Sequence, residues 1–191
     1  MDKIIQKVLI SETEILARCK TLGQQITQDY KNKDLVVIGL LKGCIPFLSD
    51  LTKNIDLILE VQYMVASSYH GSTTSGEIQI KYDLENPIAG KDVLIVEDII
   101  DTGQTINTIM NLLKARGAKS IEVVTLLDKI ANNNLRAKYI GFEIPNEFVV
   151  GYGLDFQQKF RNVPYIGILK KEFYDTKGEW TYDESTKETI K

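Results

Sequence analysis

The sequence predicts an α/β fold, a mainly parallel sheet flanked by helices. Three observations carry that prediction. Short, nearly continuous apolar runs stand at residues 35–41, 93–96 and 123–127, the pattern of strands buried on both faces. Between them lie segments whose apolar side chains recur every three or four positions, as the crossover helices of a parallel sheet require. The 191 residues, 43% of them apolar, are enough for one compact domain with its own core.

Taken in order, Ser11, Glu12, Thr13 and Glu14 fit a capping box, and Ile15, Cys19, Leu22 and Ile26 follow at helical spacing. A first amphipathic helix is expected there. The apolar run 35–41 comes next and breaks at Lys42-Gly43. Pro46 can open a second helix with Phe47, Leu48 and Leu51 on one face, before residues 57–65 alternate in a strand-like way. Residues 67–76 are rich in Ser, Thr and Gly with almost nothing to bury. They are expected to form a mobile loop longer than the usual span of about 4 to 6 residues, the kind that often serves as a lid. Residues 77–82 then alternate as an edge strand, and Ala89-Gly90 signals the turn into the buried strand 93–96. Ile106, Ile109, Met110 and Leu113 mark a helix, with Gly117 where a C-terminal cap glycine stands. Residues 123–127 make a third buried strand, 148–152 a fourth and 165–169 a short late one. From Lys170 the tail turns polar, with Trp180 and Tyr182 as its main apolar anchors, and is expected as a small flap.

Composition removes several classes of function. With 23 basic against 26 acidic residues the net charge is -3, so no positive field favours nucleic acid. No apolar stretch approaches the roughly 20 residues of a membrane span, and no signal-peptide core is visible. A cytoplasmic protein without nucleic-acid or membrane partners is expected. Cys19 and Cys44 lack C-x-x-C spacing and read as buried apolar residues. His70 is the only histidine, so acid–base work falls mostly to carboxylates, lysine or tyrosine.

The informative stretch is VLIVEDIIDTGQT at residues 93–105. A buried strand ends in Glu97 and Asp98, continues to Asp101, and enters the polar loop Thr102, Gly103, Gln104, Thr105 that opens a helix. Open α/β sheets bind ligands at the carboxyl ends of their strands, and a helix start offers N–H groups to an anion. The loop therefore reads as a phosphate cradle. It lacks the spacer and Gly-Lys of a nucleotide-triphosphate loop and the glycines of a dinucleotide fingerprint. Adjacent carboxylates repel unless hydroxyls, cations or a metal share them. A ribose diol supplies such hydroxyls, and Asp101 would then lie near the anomeric carbon, able to take a proton from an incoming ring nitrogen. Acidic residues after a strand are also common as plain loop or N-cap residues; the full string argues against that reading here.

This string resembles, almost position for position, the segment with which type I phosphoribosyltransferases bind 5-phosphoribosyl-1-pyrophosphate. The similarity is greatest to their hypoxanthine (hypoxanthine-guanine) branch and runs from about residue 35 to about residue 169, because further segments occur in the expected order. Leu41, Lys42 and Gly43 resemble the pyrophosphate loop, which in the family commonly carries a non-proline cis peptide. Ser68-Tyr69 resembles the closing loop's Ser-Tyr pair. Lys129 matches the lysine at the purine's exocyclic oxygen, Phe148 the ring that stacks on the base, and Val149 the backbone that reads its edge. Asp155 matches an acid linked to metal and purine, and Arg161 the pyrophosphate-binding arginine. Taken singly, Lys42 and Arg161 would read as surface residues, Phe148 as core and Tyr69 as an exposed turn.

The resemblance implies a single domain over 1–191, with a core at about 12–147 and a hood made by the N-terminal strand plus about 148–191. It implies transfer of the phosphoribosyl group to hypoxanthine and/or guanine, giving IMP or GMP and pyrophosphate. Asp101 would be the base, Asp101 and residues 102–105 would hold phosphate, and Glu97 and Asp98 the ribose. Mg2+ is the implied cofactor, with Glu97, Asp98 and Asp155 near it, since hard oxygen ligands suit it. A lysine donor in the base pocket rewards a 6-oxo group and leaves adenine's 6-amino group unpaired. Two departures stand out: Gln104 replaces a basic residue of some relatives, and Cys44 a small one. A homodimer or homotetramer is expected. Two rival readings share the motif, a ligand sensor without turnover and a Mg2+-dependent phosphohydrolase using Asp98 and Asp101. The first lacks a basic face and the second lacks another acidic cluster.

Overall fold

The computed structural model describes residues 4–68, 78–129 and 135–174. The elements run β1 (Ile5–Ile10), α1 (Glu12–Asp29), β2 (Leu35–Leu40), α2 (Ile45–Thr52), β3 (Glu60–Ser68), β4 (Ile78–Tyr82), β5 (Asp92–Ile100) and α3 (Gln104–Ala115). They continue with β6 (Ser120–Asp128), β7 (Tyr139–Glu143), β8 (Val149–Val150), β9 (Ile166–Leu169) and α4 (Lys171–Tyr174). One sheet has the order β4-β3-β2-β5-β6-β7. All its pairings are parallel except that of β4 with β3. A second sheet, β1-β9-β8, is antiparallel and makes the small hood.

Strand alternation sorts the core into two layers. Val37 of β2, Leu94 and Val96 of β5 and Val124 of β6 pack with Ile15, Leu22, Phe47 and Leu51 of α1 and α2. Val36 and Ile38, Val93 and Ile95, and Val123 face the other way, onto Ile106, Ile109 and Leu113 of α3. Every residue of β2 is buried, because β2 is central and covered on both faces. The capping box at α1 forms as its spacing predicts: Ser11 Oγ accepts from Glu14 N–H, and the Glu14 carboxylate accepts from Ser11 N–H at 2.8 Å. No helix among the described residues is long and apolar enough to cross a membrane.

Three expectations are corrected and one strand is added. Ser67 and Ser68 belong to β3, where they pair with Gln79 and Ile78; strand pairing overrides their polar composition, so the loop expected from residue 67 does not include them. β5 does not end at Val96 but runs to Ile100, because β6 continues beside it to Asp128, so Glu97 and Asp98 lie within the strand. The strand expected at 148–152 shrinks to Val149–Val150, which pairs antiparallel with β9 in the hood. Positive φ at Gly151, Tyr152 and Gly153 ends it. β7 was not anticipated; Gly141 interrupts its apolar pattern, and a Cβ there would strike the Leu126 carbonyl. Arg18 of α1 fastens this strand by donating to the Ile140 and Gly141 carbonyls at 2.6 and 2.9 Å. Tyr69, His70, Trp180 and Tyr182 lie outside the described residues.

Candidate active site

Parallel strands point their carboxyl ends the same way, so the segments leaving β2, β5 and β6 gather on one edge of the sheet. β2 delivers Leu41, Lys42 and Gly43, with a cis Leu41–Lys42 peptide bond. β5 delivers Glu97 and Asp98 and then the turn Asp101, Thr102, Gly103. β6 delivers Lys129, whose N–H donates to the Ile100 carbonyl at 3.0 Å. The hood segment 148–161 returns across this edge.

Glu97 and Asp98 form the tightest part of the cluster. Asp98 abuts the β2 loop so closely that a Cβ on residue 43 would collide with its carboxylate; Gly43 is there because nothing larger fits. Burial, reinforced by the neighbouring Asp98 charge, pushes Glu97 well above the usual carboxylate range. Burial also raises Asp98, opposed by N–H donors and by the Arg161 charge. One Asp98 oxygen accepts from the Ile99 N–H at 3.0 Å. Glu97 Oε2 is buried with no hydrogen-bond partner. An orphaned acidic oxygen beside a second carboxylate is a place for a hydroxyl or a hard cation. Among the described residues no cluster of three metal-binding side chains forms. A cation bound here would complete its shell with water and substrate oxygens, as Mg2+ commonly does.

The loop between β5 and α3 is the segment expected to hold phosphate. Gly103 caps α3 in the left-handed conformation, with φ of 75°, and Thr102 Oγ1 accepts from the Gln104 N–H at 3.4 Å. Asp101, Thr102 and Gln104 are exposed and Thr105 half-buried, so the side chains of the loop surround the N-terminal end of a twelve-residue helix. Asp101, its side chain 53% exposed, pairs at 3.4 Å with the ammonium of Lys129, whose side chain is only 11% exposed. The expected base and the expected purine-reading lysine are thus direct neighbours.

On the hood side, Arg161 donates to the Gly153 carbonyl at 2.7 Å and pairs with Asp155 at 2.5 Å. The other Asp155 oxygen accepts from the Gln158 N–H at 2.8 Å. Asp155 therefore engages both oxygens within the chain, which leaves Glu97 and Asp98 as the better-placed metal candidates. Phe148 is partly exposed; Tyr174 stacks on one of its faces at 4.9 Å and Phe156 meets it edge-on at 5.7 Å. Val149 is buried and paired with Ile168. Ser68 closes β3, and its partner Tyr69 falls outside the described residues. Gly153 lies in the segment 148–155 that resembles the base pocket but has no role of its own in the sequence pattern, although it touches the site: a Cβ there would strike the Gly43 carbonyl. The Gly-Tyr-Gly spacing after a strand was the available signal.

Residues 9–157 match the family model described as phosphoribosyl transferase domain. The chain is 49% identical over 178 residues to a hypoxanthine-guanine phosphoribosyltransferase of Lactococcus lactis, covering 92% of this chain and 97% of that protein. It is 51% identical over 177 residues to the bifunctional protein TilS/HprT of Listeria innocua, covering 91% of this chain but 27% of that longer protein. Among solved structures, a hypoxanthine phosphoribosyltransferase of Staphylococcus aureus superposes with a TM-score of 0.86 at 51% identity, covering 90% of this chain and 95% of the other. Matched across most of its length in sequence and in fold, the chain belongs to the phosphoribosyl transferase domain family.

Proposed function

We propose that the protein transfers the 5-phosphoribosyl group of 5-phosphoribosyl-1-pyrophosphate to hypoxanthine and/or guanine, forming IMP or GMP and releasing pyrophosphate. The observation that carries this reading is the meeting, at one sheet edge, of a helix start, a buried acid pair, and the Asp101–Lys129 pair. A ribose phosphate fits the first two; a 6-oxopurine fits the third. The names of the similar proteins support the same chemistry.

Residues 102–105 hold the 5'-phosphate, and Glu97 and Asp98 face the ribose hydroxyls. Lys42, the backbone of residues 41–43 and Arg161 receive the pyrophosphate. The purine lies against Phe148, with the Val149 backbone at its edge and the hood sheet above it. Lys129 donates to the 6-oxo group, which requires the purine to part it from Asp101. Asp101 then takes the proton from N7 as N9 bonds to C1. The bond between C1 and the pyrophosphate oxygen breaks, its electrons leaving with pyrophosphate. When bound at Glu97 and Asp98, Mg2+ supplies positive charge to the leaving group.

Two wider statements belong to the proposal. The free thiols Cys19 and Cys44 support a cytoplasmic setting. Exposed Ile45, Val61 and Tyr63, which border a cavity of about 540 Å³ beside Leu41, support self-association as a dimer or tetramer. The test of the reaction is incubation with the activated sugar, Mg2+ and each of hypoxanthine, guanine, xanthine and adenine, followed by chromatography. IMP or GMP is expected and AMP is not; absence of any nucleotide overturns the reading.

A further inference from the structure

The two halves of the site come from distant parts of the chain. The pyrophosphate-side loop, residues 41–43, leads directly into α2. The base-side segment, residues 148–161, belongs to the hood. Where they touch, Gly153 lies on the Gly43 carbonyl and beside Pro46 with no room for a Cβ. Bare backbone against bare backbone has no side-chain interlock, so something else must hold the register.

Tyr152 is placed to do this. It sits between two glycines at a φ of 47°, a left-handed conformation costly for a residue with a Cβ, so it persists only where its surroundings demand it. Its N–H donates to the Val163 carbonyl at 2.7 Å. Its buried hydroxyl reaches away from the hood and donates to the Asp50 carboxylate of α2 at 2.6 Å, with the Pro46 carbonyl 3.5 Å away. Bonds to a carboxylate are among the stronger hydrogen bonds a protein makes. The Cys19 thiol of α1 adjoins the same hydroxyl. Burial, with Asp50 next, pushes the phenol far up, so it stays a donor at working pH. From this anchor the adjacent Gly153 carbonyl sets the position of Arg161, on the pyrophosphate side of the proposed site.

We propose that the Tyr152–Asp50 hydrogen bond clamps the base-side segment to the pyrophosphate-side loop, making Tyr152 and Asp50 positioning residues that set Gly43 and Arg161 in one geometry. The inference rests on the transfer reaction proposed above, so its test begins with a readout that needs no turnover. Tyr152→Phe keeps the buried ring and removes only the hydroxyl. Hydrogen exchange followed in peptides spanning residues 41–46 and 151–161 is expected to rise about tenfold in both, while β5 and β6 stay protected. A rise confined to 151–161 overturns the clamp, whether or not the wild-type protein makes nucleotide.

Kinetics supply the second readout. Tyr152→Phe and Asp50→Ala are each expected to raise KM for the activated sugar about tenfold with kcat changed far less, and the double variant to be no worse than either single one. Asp50→Asn keeps an oxygen acceptor and is expected to recover most of the loss. Lys53→Ala removes the 3.0 Å ion pair to Asp50 without touching Tyr152, and is expected to leave KM alone. Singles that lower only the melting temperature, with KM unmoved, reduce the pair to an ordinary core hydrogen bond and overturn the proposal.

Discussion

Asp101 stands where chemistry and electrostatics meet, because its side chain is exposed yet held against the largely buried side chain of Lys129. Replacing it with asparagine keeps the shape and removes the proposed proton acceptor. Asp101→Asn is expected to lower kcat for nucleotide formation by about 10²- to 10⁴-fold with little change in KM for the sugar. A variant with full turnover in steady-state assays would take Asp101 out of the mechanism. Cys19 illustrates the opposite use of burial: enclosed beside the Tyr152 hydroxyl and the Asp50 charge, its thiol is pushed up from an ordinary 9.0 to about 11, chiefly by desolvation. The folded state thus favours the neutral thiol. That contribution to stability is complete below pH 9.0 and is lost as pH rises through about 11. Iodoacetamide at about pH 8 is therefore expected to spare Cys19 in the native protein and to alkylate it after unfolding; rapid native labelling at that site would contradict the burial.

The elements matter here through how closely they approach. The loop between β2 and α2 packs on β5 through a glycine, and the carboxylate that fills the space a Cβ would need is that of Asp98. Gly43→Ala must displace either the loop or the acid. Displacements of about 1 Å at a reacting site can cost about 10²-fold in rate, so a loss of that order in kcat/KM is expected. Comparison of the melting temperatures of variant and wild type separates this from unfolding. A fully active Gly43→Ala protein would show that the loop and Asp98 do not act together.

At the scale of the molecule, α1 and α2 cover one face of the main sheet and α3 the other, while the hood reaches the site from beyond the sheet edge. Apolar side chains remain uncovered at Ile45, Val61 and Tyr63. Ile45→Asp places a charge on that patch and is expected to shift sedimentation equilibrium from oligomer to monomer, with the hydrogen-exchange protection of β2 and β5 retained. An unchanged mass would exclude this face as the contact.

What the sequence determined by itself was local. Apolar runs marked β2, β5 and β6, helical spacing marked α1 to α3, and the string from Val93 to Thr105 exposed the acid trio and the anion loop, because burial period and cap chemistry act over a few neighbouring residues. Only the tertiary structure decided that Ser67 and Ser68 extend a strand, that β5 runs on through the acid pair to Ile100, and that Gly43 packs closely on both Asp98 and Gly153. Those outcomes depend on cross-strand partners and on close approaches between segments far apart in the chain, and neither leaves a periodic trace along the chain.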